Sequence, residues 1–149
     1  MCNPPHQSTA PRETLDLAAR LDQIAVALAW LERLGESQAW PTRTTFALTL
    51  GADEALTNII TYGLSDEVYA DERIYLDCTA STDRVVLRIQ DGGPAFDPTA
   101  AQPGALAESL DEACVGGHGL RLMLHYLSDF RYVRESSRNV LTLVAALEP

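Results

Sequence analysis

The sequence predicts a two-layer α/β sandwich: a mixed, mostly antiparallel sheet with three main helices on one face. Three observations carry this. Segments that alternate apolar and polar residues come in pairs joined by short polar stretches, which read as hairpins. Other segments repeat apolar residues near the helical period of about 3.6. The order of elements is strand, helix, helix, two strands, loop, helix, two strands. It lacks the regular alternation that a parallel, doubly wound sheet requires.

Thr14–Ala19 reads as a first short strand, with Leu15 and Leu17 alternating against polar neighbours. A helix starts near Asp22, carries Ile24, Ala25, Leu28, Leu31 and Leu34 near helical spacing, and is expected to stop at Gly35. Trp40-Pro41 opens a second helix, with Thr42 or Thr44 as cap. Its stripe of Leu48, Ala52, Ala55 and Ile59 makes it central, and Gly63 ends it. Arg73–Thr79 and Arg84–Gln90 are the next strands, joined through Ser81-Thr82-Asp83. Asp91-Gly92-Gly93-Pro94 must end the second of them. The stretch from Thr99 to Gly117 is rich in Ala, Gly and Pro, has one weak helical patch at Leu106–Leu110, and reads as a mobile loop or lid. Leu120, Met123, Leu124 and Leu127 mark a third helix face. Phe130–Arg134 and Val140–Ala146 are the last strands, joined by Ser136-Ser137-Arg138-Asn139.

The chain of 149 residues suits one domain with one core, and 46% of it is apolar. Residues 1–13, with Pro4, Pro5, Ser8 and Pro11, are expected as a flexible arm before a domain over 14–149. Neither a membrane span nor a secretory signal is indicated, so the cytoplasm is the expected compartment. Cys2, Cys78 and Cys114 are odd in number and far apart, which argues against a disulfide framework or a structural zinc site. The net charge is −10, and all eleven basic residues are arginines. Direct nucleic-acid binding needs a cationic footprint, so neither nucleic acid nor an anionic membrane is an expected partner. Asp53 to Glu112 holds thirteen acids against Arg73, Arg84 and Arg88. That excess suits a divalent metal or a basic partner, and suits equally a solvated carboxylate surface.

Three constellations carry chemistry. Glu54 and Asn58 lie four residues apart, hence on one face of the second helix, with Tyr62 continuing the edge. An oxygen-rich pair there can hold magnesium and orient a water or hydroxyl; a solvated polar stripe is the plain alternative. Asp91-Gly-Gly-Pro-Ala-Phe-Asp97-Pro98 follows a strand. Its first carboxylate can accept from an exocyclic amine, and its glycines allow close approach, although a bare Asp-Gly-Gly is more often only a turn. Gly116-Gly-His-Gly-Leu-Arg-Leu-Met123 runs glycines into a helix start, where amides and dipole suit phosphate. It has no Lys-Ser or Lys-Thr pair of a P-loop, and a flexible linker is the alternative.

Together and in this order, the three segments resemble the GHKL family of ATPases, with its Bergerat-type ATP-binding fold. Within it they are most similar to bacterial anti-sigma-factor serine kinases. Glu54-Ala-Leu-Thr-Asn58-Ile-Ile-Thr-Tyr-Gly63 looks like the family's N box, and the two glycine-rich segments look like its glycine boxes. The resemblance covers about Thr14 to Ala146. It implies ATP and Mg2+ as cofactors, Glu54 as the general base, Asn58 as the magnesium ligand and Asp91 as the reader of the adenine amine. It places Gly93, Ala95, Gly117, His118, Gly119 and Leu120 about the nucleotide, and Thr142 near the adenine. Its implied function is an ATP-binding anti-sigma factor with serine kinase activity. A sigma factor and an antagonist protein would be its partners, and a homodimer is compatible. Ala95 stands where many members have glycine, and the loop before the second glycine box carries Glu108, Asp111 and Glu112 but no arginine. A non-catalytic binding module of the same fold is the alternative.

Overall fold

The computed structural model describes residues 11–98 and 125–147. Among the described residues there are five strands: β1 Arg12–Ala18, β2 Arg73–Ala80, β3 Arg84–Asp91, β4 Asp129–Glu135 and β5 Arg138–Ala146. Two long helices, α1 Ile24–Ser37 and α2 Thr42–Asn58, lie between β1 and β2. Short 3-10 turns occupy Leu21–Gln23 and Glu67–Tyr69. The expected third helix, from Leu120, falls outside the described residues except for the helical His125 and Tyr126. The expected loop over Thr99–Gly117 falls outside them too.

The sheet order is β1-β2-β3-β5-β4, and every neighbouring pair is antiparallel. The chain therefore makes two hairpins, and its fifth strand inserts between the third and fourth. Alternation decides which side chains go inward. Ile74, Leu76 and Cys78 of β2, Val85, Leu87 and Ile89 of β3, and Leu141, Leu143 and Ala145 of β5 are all buried on the helix side. The register then places Asp91 and Asn139 on that same side, one pair beyond Ile89 and Leu141. Burial, aided by Asp77 and then Glu13, pushes the Cys78 thiol up to about 12, so this cysteine is core and not a nucleophile.

On the helices the buried residues recur every three or four positions: Ala27, Trp30, Leu31 and Leu34 on α1, and Ala47, Leu48, Gly51, Ala52, Ala55 and Leu56 on α2. Small residues on α2 let it approach its neighbours closely. Gly35 is not the stop expected of it. α1 runs on to Ser37 because Gly35 is buried at a close approach, where a Cβ would collide with Thr45 Oγ1 and crowd Trp40. Beyond Asn58 the helix widens into a π turn, Ile59–Gly63, closed by the Leu64 N–H donating to the Ile59 carbonyl at 2.8 Å.

Candidate functional site

Asn58 extends the buried stripe of α2 by one step, three residues past Ala55, and is only 7% exposed. Glu54, one turn earlier, is half-buried. Burial raises its pKa above the ordinary carboxylate range, the adjacent Asp53 adds to the rise, and a hydrogen bond from Asn58 opposes it. Only the amide N–H of Asn58 can donate to a carboxylate, and the amide oxygen is the atom of that side chain able to face a cation. A base with a raised pKa holds an accepted proton better than an ordinary carboxylate. Among the described residues no three His, Cys, Asp or Glu side chains gather as a metal cage. A single oxygen ligand is what Mg2+ needs where phosphates and water complete its shell, so the residues present fit that ion.

The π turn ties this helix to the glycine-rich turn after β3. A Cβ on Gly63 would stand 2.9 Å from Phe96 Cδ2, and one on Gly93 would collide with the Leu64 side chain. Both glycines are set by contact between the two segments, not by unusual φ angles. The helix bearing Glu54 and Asn58 is thereby locked to the turn bearing Asp91.

Asp91 is 2% exposed. Its Oδ1 accepts from the Gly93 N–H at 2.8 Å and from Asn139 Nδ2 at 3.0 Å. Its Oδ2 has no hydrogen-bond donor among the described residues. Burial pushes the Asp91 carboxyl above its ordinary range. The Asn139 and Gly93 bonds pull it back, Glu72 adds to the rise, and Arg138 opposes it. A buried carboxylate oxygen left without a donor is costly unless something donates to it. An exocyclic amine is the complementary group.

A ring of polar groups steadies the turn. The Gly92 N–H donates to Glu72 Oε2 at 2.9 Å, and Arg134 Nη1 donates to the Gly93 carbonyl at 2.8 Å. Ala95 is exposed on the loop and Phe96 is half-buried. Gly117, His118, Gly119 and Leu120, expected around the phosphates, lie outside the described residues. Thr142 is not brought to Asp91. It pairs with Arg88 and Arg131 on the sheet face away from the helices, because it stands three positions from Asn139, an odd step, and side chains alternate with a period of two. The polar β5 residue beside Asp91 is Asn139, which in the sequence reads as part of a hairpin joint. The apolar alternation Leu141, Leu143, Ala145, extended back by one step, is the signal that points to it.

A separate cavity of about 280 Å³ lies at the start of α2, lined by residues that include Arg43, Thr44, His125 and Tyr126. It is roughly 20 Å along the helix from Asn58 and no part of this site.

Residues 17–145 match a family model described as the histidine kinase-like ATPase domain. The chain is also similar to the serine/threonine-protein kinase BtrW of Bordetella bronchiseptica, with 41% identity over 137 residues, covering 92% of this chain and 95% of that protein.

Proposed function

The chain belongs to the histidine kinase-like ATPase domain family, and on that premise we propose that it is an ATP- and Mg2+-dependent protein-serine kinase of the cytoplasm. In this reading it binds a sigma factor and phosphorylates an antagonist protein. The observation that supports the reading best is Asp91: a buried carboxylate on a glycine turn, with one oxygen left for an amine donor. The turn is packed against the end of the helix that carries Glu54 and Asn58.

Asp91 Oδ2 accepts from the adenine amine, and Gly93 keeps a Cβ out of the crowded turn. The Asn58 amide oxygen holds Mg2+, which when bound neutralises charge on the phosphates. Glu54 takes the proton of the antagonist's serine hydroxyl. The serine oxygen forms a bond to the γ-phosphorus, the bond from that phosphorus to the β,γ-bridging oxygen breaks, and ADP leaves with the electron pair. Gly117, His118, Gly119 and Leu120 belong to the phosphate-binding part of this proposal, and the arginine-only composition leaves cationic help to Mg2+ or arginine.

Single-turnover transfer to antagonist proteins encoded beside the chain, measured with nucleotide affinity, tests the reading. Glu54→Gln should slow transfer by about 10²–10⁴-fold with little change in ATP affinity, as loss of a positioned general base does. Asn58→Ala should weaken Mg2+–ATP binding itself. A wild-type transfer rate from Glu54→Gln removes Glu54 as the base. Tight ATP binding with no transfer to any antagonist replaces the kinase with a non-catalytic binding module of the same fold.

A further inference from the structure

We infer that Asn139 is a positioning residue for nucleotide recognition: it fixes the Asp91 carboxylate so that Oδ2, and not Oδ1, is offered to the base. The inference rests on the adenine-binding reading of Asp91 and adds a residue that reading does not contain.

The geometry leaves the Asn139 amide one orientation. Its Nδ2 donates both hydrogens, to Asp91 Oδ1 at 3.0 Å and to the Pro94 carbonyl at 2.8 Å. Its Oδ1 accepts from the Phe96 N–H at 3.2 Å, from Arg134 Nη1 at 3.1 Å and from the Tyr132 hydroxyl. A flipped amide would turn its carbonyl toward a carboxylate and a carbonyl, and its NH2 toward three donors. Four of those five contacts would be mismatched, since only the Tyr132 hydroxyl can accept as well as donate. The side chain is 5% exposed, so water offers little relief from such a mismatch.

Asn139 therefore gathers three parts of the fold on one amide. The edge strand β4 supplies Tyr132 and Arg134, the turn supplies Pro94 and Phe96, and β3 supplies Asp91. Without it, Asp91 keeps one donor instead of two among the described residues, the Gly93 N–H. The carboxylate can then rotate, and its charged form, already disfavoured by burial, loses support. Among the described residues, the charged groups that act on Asp91 are Glu72 and Arg138, with Arg134 reaching the same turn from β4.

The experiment compares wild type, Asn139→Ala and the double variant Tyr132→Phe/Arg134→Ala. The double variant keeps the asparagine and removes two of the three donors that orient it. Two quantities are read: the titration of the Asp91 side-chain carboxyl by carbon-13 NMR in nucleotide-free protein, and the affinities for ATP and GTP by calorimetry. In Asn139→Ala the Asp91 titration should move to higher pH, ATP affinity should fall by about 10-fold, as loss of a charge-assisted hydrogen bond implies, and the preference for ATP over GTP should narrow. The double variant should shift in the same directions by less. A folded Asn139→Ala with wild-type Asp91 titration and wild-type base preference overturns the inference. If Asn139→Ala does not fold, an unchanged Asp91 titration in the double variant overturns it instead. Absence of ATP binding by wild type defeats the proposed function, whereas the nucleotide-free titration still decides the role of Asn139.

Discussion

Asp91 is buried, and its two donors among the described residues share one oxygen, so its ionised form is held at a disadvantage. A carboxyl raised on folding contributes stability below its unfolded pKa, and that contribution is lost as pH rises through the folded value. Near neutral pH the charge is thus a burden on the nucleotide-free fold. Asp91→Asn removes the charge while its amide oxygen can still accept from Gly93 and Asn139. Its NH2 group then stands where the base amine would donate. Denaturant unfolding at pH 4 and pH 7.5 should show the variant gaining on wild type at the higher pH. ATP affinity should fall by about 10–100-fold, as expected for a lost charge-assisted bond replaced by opposed donors. A variant that gains nothing at pH 7.5 over pH 4 would mean that Asp91 is better solvated or better paired than this geometry implies. Glu54 has the same direction of shift with weaker burial, so Glu54→Gln should be tolerated by the fold.

The hairpin joining β4 to β5 turns on Ser136 and Ser137, which have φ of 52° and 62°. Both lie in the left-handed region, where a two-residue hairpin turn favours asparagine followed by glycine. Serine is strained there. The double substitution Ser136→Asn/Ser137→Gly should raise stability by about 1 kcal/mol, read as a higher denaturant midpoint with an unchanged slope. No gain would mean that the strain is relieved elsewhere in the hairpin. The same turn explains what sequence reading found and lost. Alternation and helical spacing located all five strands and the two long helices within a few residues. Asp91, Glu54 and Asn58 stand out in the sequence as candidates because their chemistry coincides with glycines or with a helical face. Asn139 was hidden, since Ser-Ser-Arg-Asn looks like a turn over its whole length while the structure bends on its first half only. Gly35 misled for a related reason: a glycine forced by the approach of Thr45 and Trp40 carries the same letter as one that ends a helix. The π turn left no local mark, because Ile59–Gly63 continues the apolar pattern of α2 and its widening is closed by the backbone of Leu64.

In the whole molecule, β5 has the central place. It is paired along its length with β3 on one side and β4 on the other, and its inward residues Leu141 and Leu143 are among the most deeply buried. The fold class was legible in the sequence, but this insertion was not, because hairpins alone would equally allow strands in simple succession. A chain ended after Glu135 should lose the cooperative unfolding transition and all ATP binding, since β3 and β4 then have no common partner and Asp91 loses Asn139. A shortened chain melting sharply at the wild-type midpoint would contradict the central role of β5. The insertion also has a meaning in time. Asp91 and Asn139 stand 48 residues apart in the chain. At a synthesis rate of about 5–20 residues per second, roughly 2–10 s pass on the ribosome between the making of the carboxylate and the making of its amide partner. Through that interval β3 is an open edge, and an open edge is a template for pairing with any other extended chain. The nascent protein is therefore most in need of a chaperone after its helices and first hairpin have emerged, and that need ends when β5 closes the sheet and completes the surroundings of Asp91 in one step.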